Sequence, residues 1–497
     1  MTKLLLGLDI GTSFIKAVLI NRGGQEVAVA ASPTPTFSPV PGWSEVHPDV
    51  LWAATCRVIA KVLQTEGVAS EDVAAVGISG AMVGAWVVDK AGNALRPGIL
   101  WNDSRTQSMI DNLVTGNPQF MSQIFEVSGS VMQQGCTLPL LQWLSINEPA
   151  IVRSAHAVFG VKDYIRFQLT NTLATDRTEA AVAPGSAFAR GRSQALISLF
   201  CLEELAHLLP PPMDSESLAG TITQRAARAT GLVAGTPVAV GAGDVICSVI
   251  GAGALVEGSA CTILGSTCMN GIVSSAPMFA PLDLGLLFTM PEQFWMRTMV
   301  NVAGTTNIDW LLEALCPDLA VALEPYGALA ALAAQATQGS SGAVYVPYLS
   351  EVGIIAPQVA PLARGAFSGL TPRHRRPELV RAVYEGVAFA IRDCFEKIGR
   401  DFGVIRLVGG GARSPFWRQL IADVVGHIVE VPAGEEFGCK GAALLAGTAI
   451  GWFDSTSNAS IESCEILYRH LPSGVGVYDD AFERYQAYAA ALASVTP

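Results

Sequence analysis

Four short segments combine acids, hydroxyls and glycines at spacings that could handle a polyphosphate. In Asp9-Ile-Gly11-Thr12-Ser13-Phe-Ile-Lys16 an acid ends an apolar run, and the turn behind it offers backbone N–H groups and two hydroxyls. Such a turn can cradle phosphate oxygens. Asp9 is then placed to hold Mg²⁺ through its waters, because this ion keeps much of its hydration shell and takes few carboxylates. Lys16 would complement phosphate charge. A plain hairpin turn with a locally bonded Asp is the other reading of one such motif. A second turn of the same kind, Gly265-Ser266-Thr267, shifts the balance, since two phosphate-sized turns in a repeated frame can face one cleft.

The third segment, Gly241-Ala-Gly243-Asp244, sets a carboxylate just beyond a buried strand, where glycine lets ligand and backbone approach closely. Phosphoryl transfer needs positioning, a metal and a group that accepts the hydroxyl proton, and Asp fills that last role in other kinases. Asp244 is the candidate base; it could also cap the helix expected over Val245 to Ile250, and the two roles are compatible. In the fourth segment Ile405-Arg-Leu-Val408 leads into Gly409-Gly410-Gly-Ala412-Arg-Ser414 and a helix from about Pro415. A nucleotide could lie there on bare backbone. Dinucleotide binding fails on spacing, for G-x-G-x-x-G and its downstream acid are missing; adenine or ribose binding survives beside a simple glycine-rich helix entry.

The elements that must carry these residues alternate between strand and helix. Leu4 to Asp9 and Phe14 to Ile20 form one hairpin, and Ala260 to Leu264 with Cys268 to Val273 form another on the same plan. That repetition predicts an internally duplicated protein of two lobes. Further strands are expected at Val73 to Ser79, Gly84 to Val88, Pro237 to Gly241 and Ile405 to Val408, with amphipathic helices over Pro48 to Glu66 and Arg376 to Phe402. Strands alternating with helices give an α/β fold. With 497 residues the chain exceeds one ordinary core, which stops growing near roughly 250 to 300 residues. Two domains are expected, 1–247 and 248–497, with Pro210-Pro-Pro212 as a surface loop inside the first.

Composition narrows the partners. A net charge of -12 and no basic stripe disfavour nucleic acid. The apolar run from Val238 to Val256 carries Asp244 near its middle, and a central Asp costs about 2.5 to 3.5 kcal/mol on insertion, so no membrane span is expected. The ten cysteines, at 56, 136, 201, 247, 261, 268, 316, 394, 439 and 464, form no C-x-x-C pair and read as small core residues in a reducing compartment. The N-terminal apolar run is too short for a signal peptide before Asp9, and a cytoplasmic location is expected.

One longer pattern is specific. Gly365-Ala-Phe-Ser-Gly369-Leu370, seven residues, then Glu378-Leu-Val-Arg-Ala382-Val383-Tyr384-Glu385 resembles the second signature of the FGGY carbohydrate kinases at every fixed position. The resemblance runs from Leu4 to about Gly447 in the family's order. It takes in the Asp9 turn, Gly42-Trp-Ser-Glu45, Val76-Gly-Ile-Ser79, Ile99 to Arg105, Lys162-Asp-Tyr164, Gly243-Asp244, Leu264 to Thr267, Pro347-Tyr-Leu349 and Gly409 to Ala412. It implies an actin/hexokinase-like, ribonuclease H-like duplicated fold with an interdomain cleft that binds ATP and a sugar and closes during turnover. By the same resemblance Asp9, Gly11, Thr12, Ser13 and Lys16 would meet phosphates and Mg²⁺. Gly265, Ser266, Thr267, Gly409, Gly410, Ala412 and Ser414 would meet the nucleotide, and Asp244 the sugar hydroxyl.

Departures from the pattern bear on the substrate. The family's xylulose kinases, which this chain most resembles, read Gly-Gln-Met-His-Gly where it has Gly80-Ala81-Met82-Val83-Gly84, and carry Asn where it has Val245. Two polar groups are thus missing from the expected pocket. Leu140 replaces a signature Lys, and Glu351-Val352-Gly353 stands for the usual Gly-Glu-Arg. Trp43, Glu45, Met82, Val83, Asn102, Asp103 and Arg105 remain pocket candidates, with ordinary lobe packing as the other reading of Trp43 and Trp101. The expected activity is ATP-dependent phosphorylation of a ketopentose such as D-xylulose. Ribulose, erythritol, glycerol or gluconate are alternatives within the family, and a non-catalytic actin-like nucleotide switch is the alternative outside it. Oligomeric state, a homodimer included, is left open.

Overall fold

The computed structural model describes residues 3–494 except 302, 351–353, 361 and 475. The Glu351-Val352-Gly353 departure therefore lies outside the described residues. The first half is built on β1 (Leu4–Ile10), β2 (Phe14–Ile20), β3 (Glu26–Pro33), helix α1 (Pro48–Leu63) and β4 (Val73–Gly80). Helices α2 (Val161–Thr170) and α3 (Arg177–Val182) follow, then β5 (Leu218–Thr221), β6 (Pro237–Ala239), β7 (Ala242–Gly243) and α4 (Asp244–Gly251). The second half has β8 (Ala260–Leu264), β9 (Cys268–Ser274), β10 (Leu286–Thr289), β11 (Trp295–Asn301), α5 (Arg376–Ile398) and β12 (Val404–Val408). It ends with α6 (Pro415–Val425), β13 (Ile428–Pro432), α7 (Phe437–Ala449) and β14 (Ile466–His470) among its elements.

Each half centres on one seven-stranded sheet, in the orders β5-β6-β4-β1-β2-β3, with β7 beside β4, and β10-β11-β9-β8-β12-β13-β14. In both, a hairpin pairs outward with an antiparallel strand and inward with two parallel ones: β3 and β4-β6 in the first, β11 and β12-β13 in the second. The duplication expected from the two hairpins is thus a property of the topology.

The strands β1 and β4 are apolar on both faces because both are covered, as for parallel strands generally. Leu4, Leu6, Leu8 and Ile10 pack toward α1, while Leu5 packs with Ile246, Val249 and Leu444 of α4 and α7. Helix α7, from the second half of the chain, therefore lies on the sheet of the first. Glycines make that approach feasible: a Cβ on Gly7 would sit 1.8 Å from the Cys439 carbonyl oxygen, and one on Gly77 1.8 Å from that of Ala442. Residue 247, the expected boundary, falls inside α4, the helix that packs directly on α7. This helix is short and apolar, with Ile246, Cys247, Val249 and Ile250 buried.

Strand and helix limits otherwise follow the sequence closely, except that the run from Gly84 to Val88 yields only a short strand, Trp86–Val88. Gly84 (φ 83°) and Val83 (φ 58°) turn the backbone into the left-handed region before it. Seven of the ten cysteines are buried; Cys201 is exposed at a turn, against the expectation of a core position. Among the described residues no helix is long and apolar enough to cross a membrane.

Candidate active site

A cavity of about 320 Å³ opens between the two halves, lined from the first by Thr12, Met82, Val83, Trp101, Gln133, Asp244 and Val245 and from the second by Ile263, Gly265, Thr267 and Met269. The two hairpin turns therefore do face one cleft. The turn after β8 is held from behind: the Gly304 and Thr305 amides donate to the Ser266 and Gly265 carbonyls at 2.6 and 2.8 Å, and Thr306 Oγ1 donates to the Ser266 carbonyl at 2.9 Å. The turn after β1 is closed by the Gly11 amide on the Phe14 carbonyl, 3.0 Å, and flanked by Thr34, which bonds the Ser13 and Gly11 carbonyls. Thr12 Oγ1 accepts from the Trp101 indole N–H at 2.8 Å, so Trp101 forms part of the cavity wall.

Asp244 is the first residue of α4, with Gly243 as the actual cap. Its Oδ1 accepts the Val245 amide at 2.8 Å. The helix terminus and this amide favour the ionised form, but burial and the nearby Asp9 charge outweigh them and push the carboxyl up to about 7. A carboxylate poised there on a cavity wall is suited to taking a proton near neutral pH.

Asp9 lies at the end of β1, in register with Lys16 on β2 and Ser79 on β4. Its Oδ1 is buried without a hydrogen-bond partner, and Oδ2 leaves no room for a side chain at Gly438, where a Cβ would come to 2.9 Å. Burial raises its pKa against the neighbouring Ser79 hydroxyl and the pull of Lys16. An orphaned carboxylate oxygen beside a second carboxylate fits a hydrated divalent cation. Among the described residues no three acids, histidines or cysteines converge on a direct-ligand site.

Lys16 is engaged by Glu436, 2.6 Å away, whose backbone amide, with that of Glu435, donates to Glu26 Oε1. Lys16 and Glu436 line a second cavity of about 420 Å³ with Gly409, Gly410 and Ala412. Gly409 (φ 94°) could hold no side chain, since a Cβ would meet the Leu264 carbonyl oxygen at 2.6 Å. Ser414 caps α6 through the Trp417 amide, which commits its hydroxyl to the helix.

Five expected pocket residues, Trp43, Glu45, Asn102, Asp103 and Arg105, lie away from the cavity lining. Asp103 is fully buried, forked onto Arg105 at 2.8 Å and accepting the Ser44 amide at 2.7 Å. Glu45, also buried, accepts from Arg96 and Arg105, both at 2.6 Å. The Arg105 guanidinium lies over the Trp43 ring at 3.8 Å. These residues brace one another instead of facing the cleft, because buried charges need partners; Asn102 is exposed and also outside the lining. Met82 and Val83 line the cavity. Gln133 and Trp101 join them, and only the position of Trp101 beside the Asn102-Asp103 motif hinted at it.

The chain is similar to known proteins over nearly its whole length. Residues 4–251 match the N-terminal domain and residues 260–450 the C-terminal domain of the FGGY family of carbohydrate kinases. The chain is 32% identical to the xylulose kinase of Escherichia coli (strain K12), covering 97% of this chain and 96% of that protein. It is 30% identical to the erythritol kinase of Brucella abortus (strain 2308), over 99% and 97%. The crystal structure of xylulose kinase from Rhodospirillum rubrum superposes with a TM-score of 0.88 at 28% identity over 99% of both chains. Two duplicated sheets around a cleft are the two-lobed actin-like fold of these enzymes, and the chain belongs to the FGGY family of carbohydrate kinases.

Proposed function

We propose that this sugar kinase transfers the terminal phosphoryl group of Mg·ATP to a terminal hydroxyl of a small ketose or polyol, D-xylulose in the first instance, giving xylulose 5-phosphate. The observation that carries the reading is Asp244, an acid raised to about 7 on the wall of the interlobe cavity. Its carboxylate would accept the hydroxyl proton as the oxygen attacks phosphorus. Thr12 and the Gly265 to Thr267 turn would orient the phosphates, and Gly409 to Ala412 would support the nucleotide. Asp9 would hold Mg²⁺ through water, and that ion, when bound, supplies positive charge to the phosphate oxygens. Lys16 would exchange its Glu436 partner for phosphate.

The alcohol's identity turns on the apolar wall. Met82, Val83, Val245, Ile263 and Met269 offer no side-chain hydrogen-bond donors to a hydroxyl. A site built to bond a hydroxyl rejects ligands lacking it by large factors, whereas an apolar wall separates ligands by about 1 to 3 kcal/mol per methylene. Erythritol, the substrate named for one relative, is therefore a direct competitor reading. The test is kcat/KM for D-xylulose, D-ribulose, L-ribulose, erythritol and glycerol with Mg·ATP. Turnover of at least one, with relaxed discrimination among them, is expected. A protein that hydrolyses ATP at a rate none of the five alters would favour a nucleotide switch instead.

A further inference from the structure

Beneath the cavity wall lies a buried polar cluster that the phosphoryl-transfer chemistry leaves unused. Asp176 caps α3 by accepting the Thr178 and Glu179 amides at 2.8 and 3.3 Å, and it pairs with Lys162 of α2, which also contacts Asp163 at 2.5 Å. Helix α3 then reaches two places at the cleft. Thr178 Oγ1 accepts the amide of Gly243, the residue before Asp244, at 3.1 Å. Glu179 Oε1 accepts the amide of Val83 at 2.7 Å.

Val83 is a β-branched residue at φ 58°, a conformation that such side chains rarely adopt and that needs surrounding structure to hold it. Gly84 follows at φ 83°, its amide on the Gly135 carbonyl at 3.0 Å and its own carbonyl accepting from Thr137 Oγ1 at 2.9 Å. The amide of Val83 has the Glu179 carboxyl as its partner in a site closed to solvent, Glu179 being only 4% exposed.

We propose that Glu179 is a positioning residue for the reaction: by accepting the Val83 amide hydrogen it holds the left-handed bend at residues 83–84, and so sets the wall of Met82 and Val83 against which the acceptor alcohol lies. Burial raises the Glu179 carboxyl to about 8, so it is mostly uncharged at neutral pH. A glutamine of the same shape, whose amide oxygen accepts equally well, should replace it. A methionine fills the volume but accepts nothing, leaving the Val83 amide buried and unpaired.

The experiment compares wild type, Glu179→Gln and Glu179→Met in two readouts at neutral pH. In steady-state kinetics with the best-used alcohol of the panel above, Glu179→Met should raise the alcohol KM by roughly 10- to 100-fold and leave the Mg·ATP KM within about twofold. Glu179→Gln should stay within about threefold of wild type for both. In amide hydrogen exchange, the peptide containing residues 82–84 should exchange at least about tenfold faster in Glu179→Met and unchanged in Glu179→Gln; this readout stands whether or not any alcohol of the panel is a substrate. Should Glu179→Met fail to fold, the double variant Glu179→Met/Val83→Gly is compared with Val83→Gly alone: because glycine occupies the left-handed region without help, their alcohol KM values should agree within about threefold, and a larger difference overturns the proposal. The proposal is overturned if both KM values rise together, if Glu179→Gln is as impaired as Glu179→Met, or if exchange at 82–84 does not respond.

Discussion

Replacing Asp244 by Asn should inactivate the enzyme and stabilise it at once. The amide keeps the shape of the side chain and its bond to the Val245 amide but cannot take the hydroxyl proton, and a positioned acid or base contributes about 10²- to 10⁴-fold. The stability term comes from the same burial that tunes the base. Unfolded, the carboxyl ionises near its ordinary 3.8; folded, it holds its proton to about 7. Between those values the folded state binds the extra proton, so wild-type stability falls as pH rises and levels off above about 7. At 1.36 kcal/mol per unit, the approximately three-unit difference amounts to about 4 kcal/mol above pH 7 and about 2 kcal/mol at pH 5.5. Asn carries no such penalty. Its advantage over wild type should therefore grow by about 2 kcal/mol between pH 5.5 and pH 8, read by urea denaturation at both pH values. Wild-type kcat/KM should rise over the same interval as the base ionises. A variant turning over within a few-fold of wild type, or a stability difference that does not change with pH, refutes the assignment.

Other expectations follow from the same geometry. Asp9→Ala should raise the KM for Mg·ATP at least about tenfold, because the hydrated metal loses its carboxylate, while calorimetric binding of the alcohol without nucleotide barely changes; the reverse pattern would move Asp9 to the alcohol side. Val83→His adds a donor and acceptor to the apolar wall and should shift kcat/KM toward D-xylulose relative to erythritol, whereas a wild type already preferring D-xylulose several thousandfold, with the variant no better, contradicts the apolar-wall argument. Gly7→Ala would drive a methyl into the Cys439 carbonyl at 1.8 Å, and separating α7 from β1 should cost at least about 3 kcal/mol, seen as a fall in Tm or loss of soluble protein. A Tm within 2 °C of wild type would mean that the two elements slide apart freely.

Local chemistry carried much of this protein's description in the sequence alone. The strands around Asp9 and Lys16, the second hairpin, the helix starting at Pro415 and the acid after Gly243 depend on apolar runs, turn residues and caps within a dozen positions, and they stand in the structure where those rules put them. The duplication was legible for the same reason, since two copies of one hairpin are two copies of one local pattern. Pairing at long range was not. Nothing in the chemical types of Glu45 and Asp103 distinguishes a ligand-facing acid from one neutralised by Arg96 and Arg105, because the difference lies in which partner reaches it first in space. A glycine-rich run ends near residue 247, and only the folded chain shows that α4 runs through this point and that α7 returns nearly two hundred residues later to pack against α4 and the first sheet. Glu179 carried no signal at all: its bond to Val83 spans 96 positions, and only the folded chain brings a buried carboxyl under a strained backbone amide. Short-range sterics and hydrogen bonding decide the elements and the residues that end them; which charges are paired, which face the cleft and which hold its wall is decided by burial, and burial exists only once the chain has closed on itself.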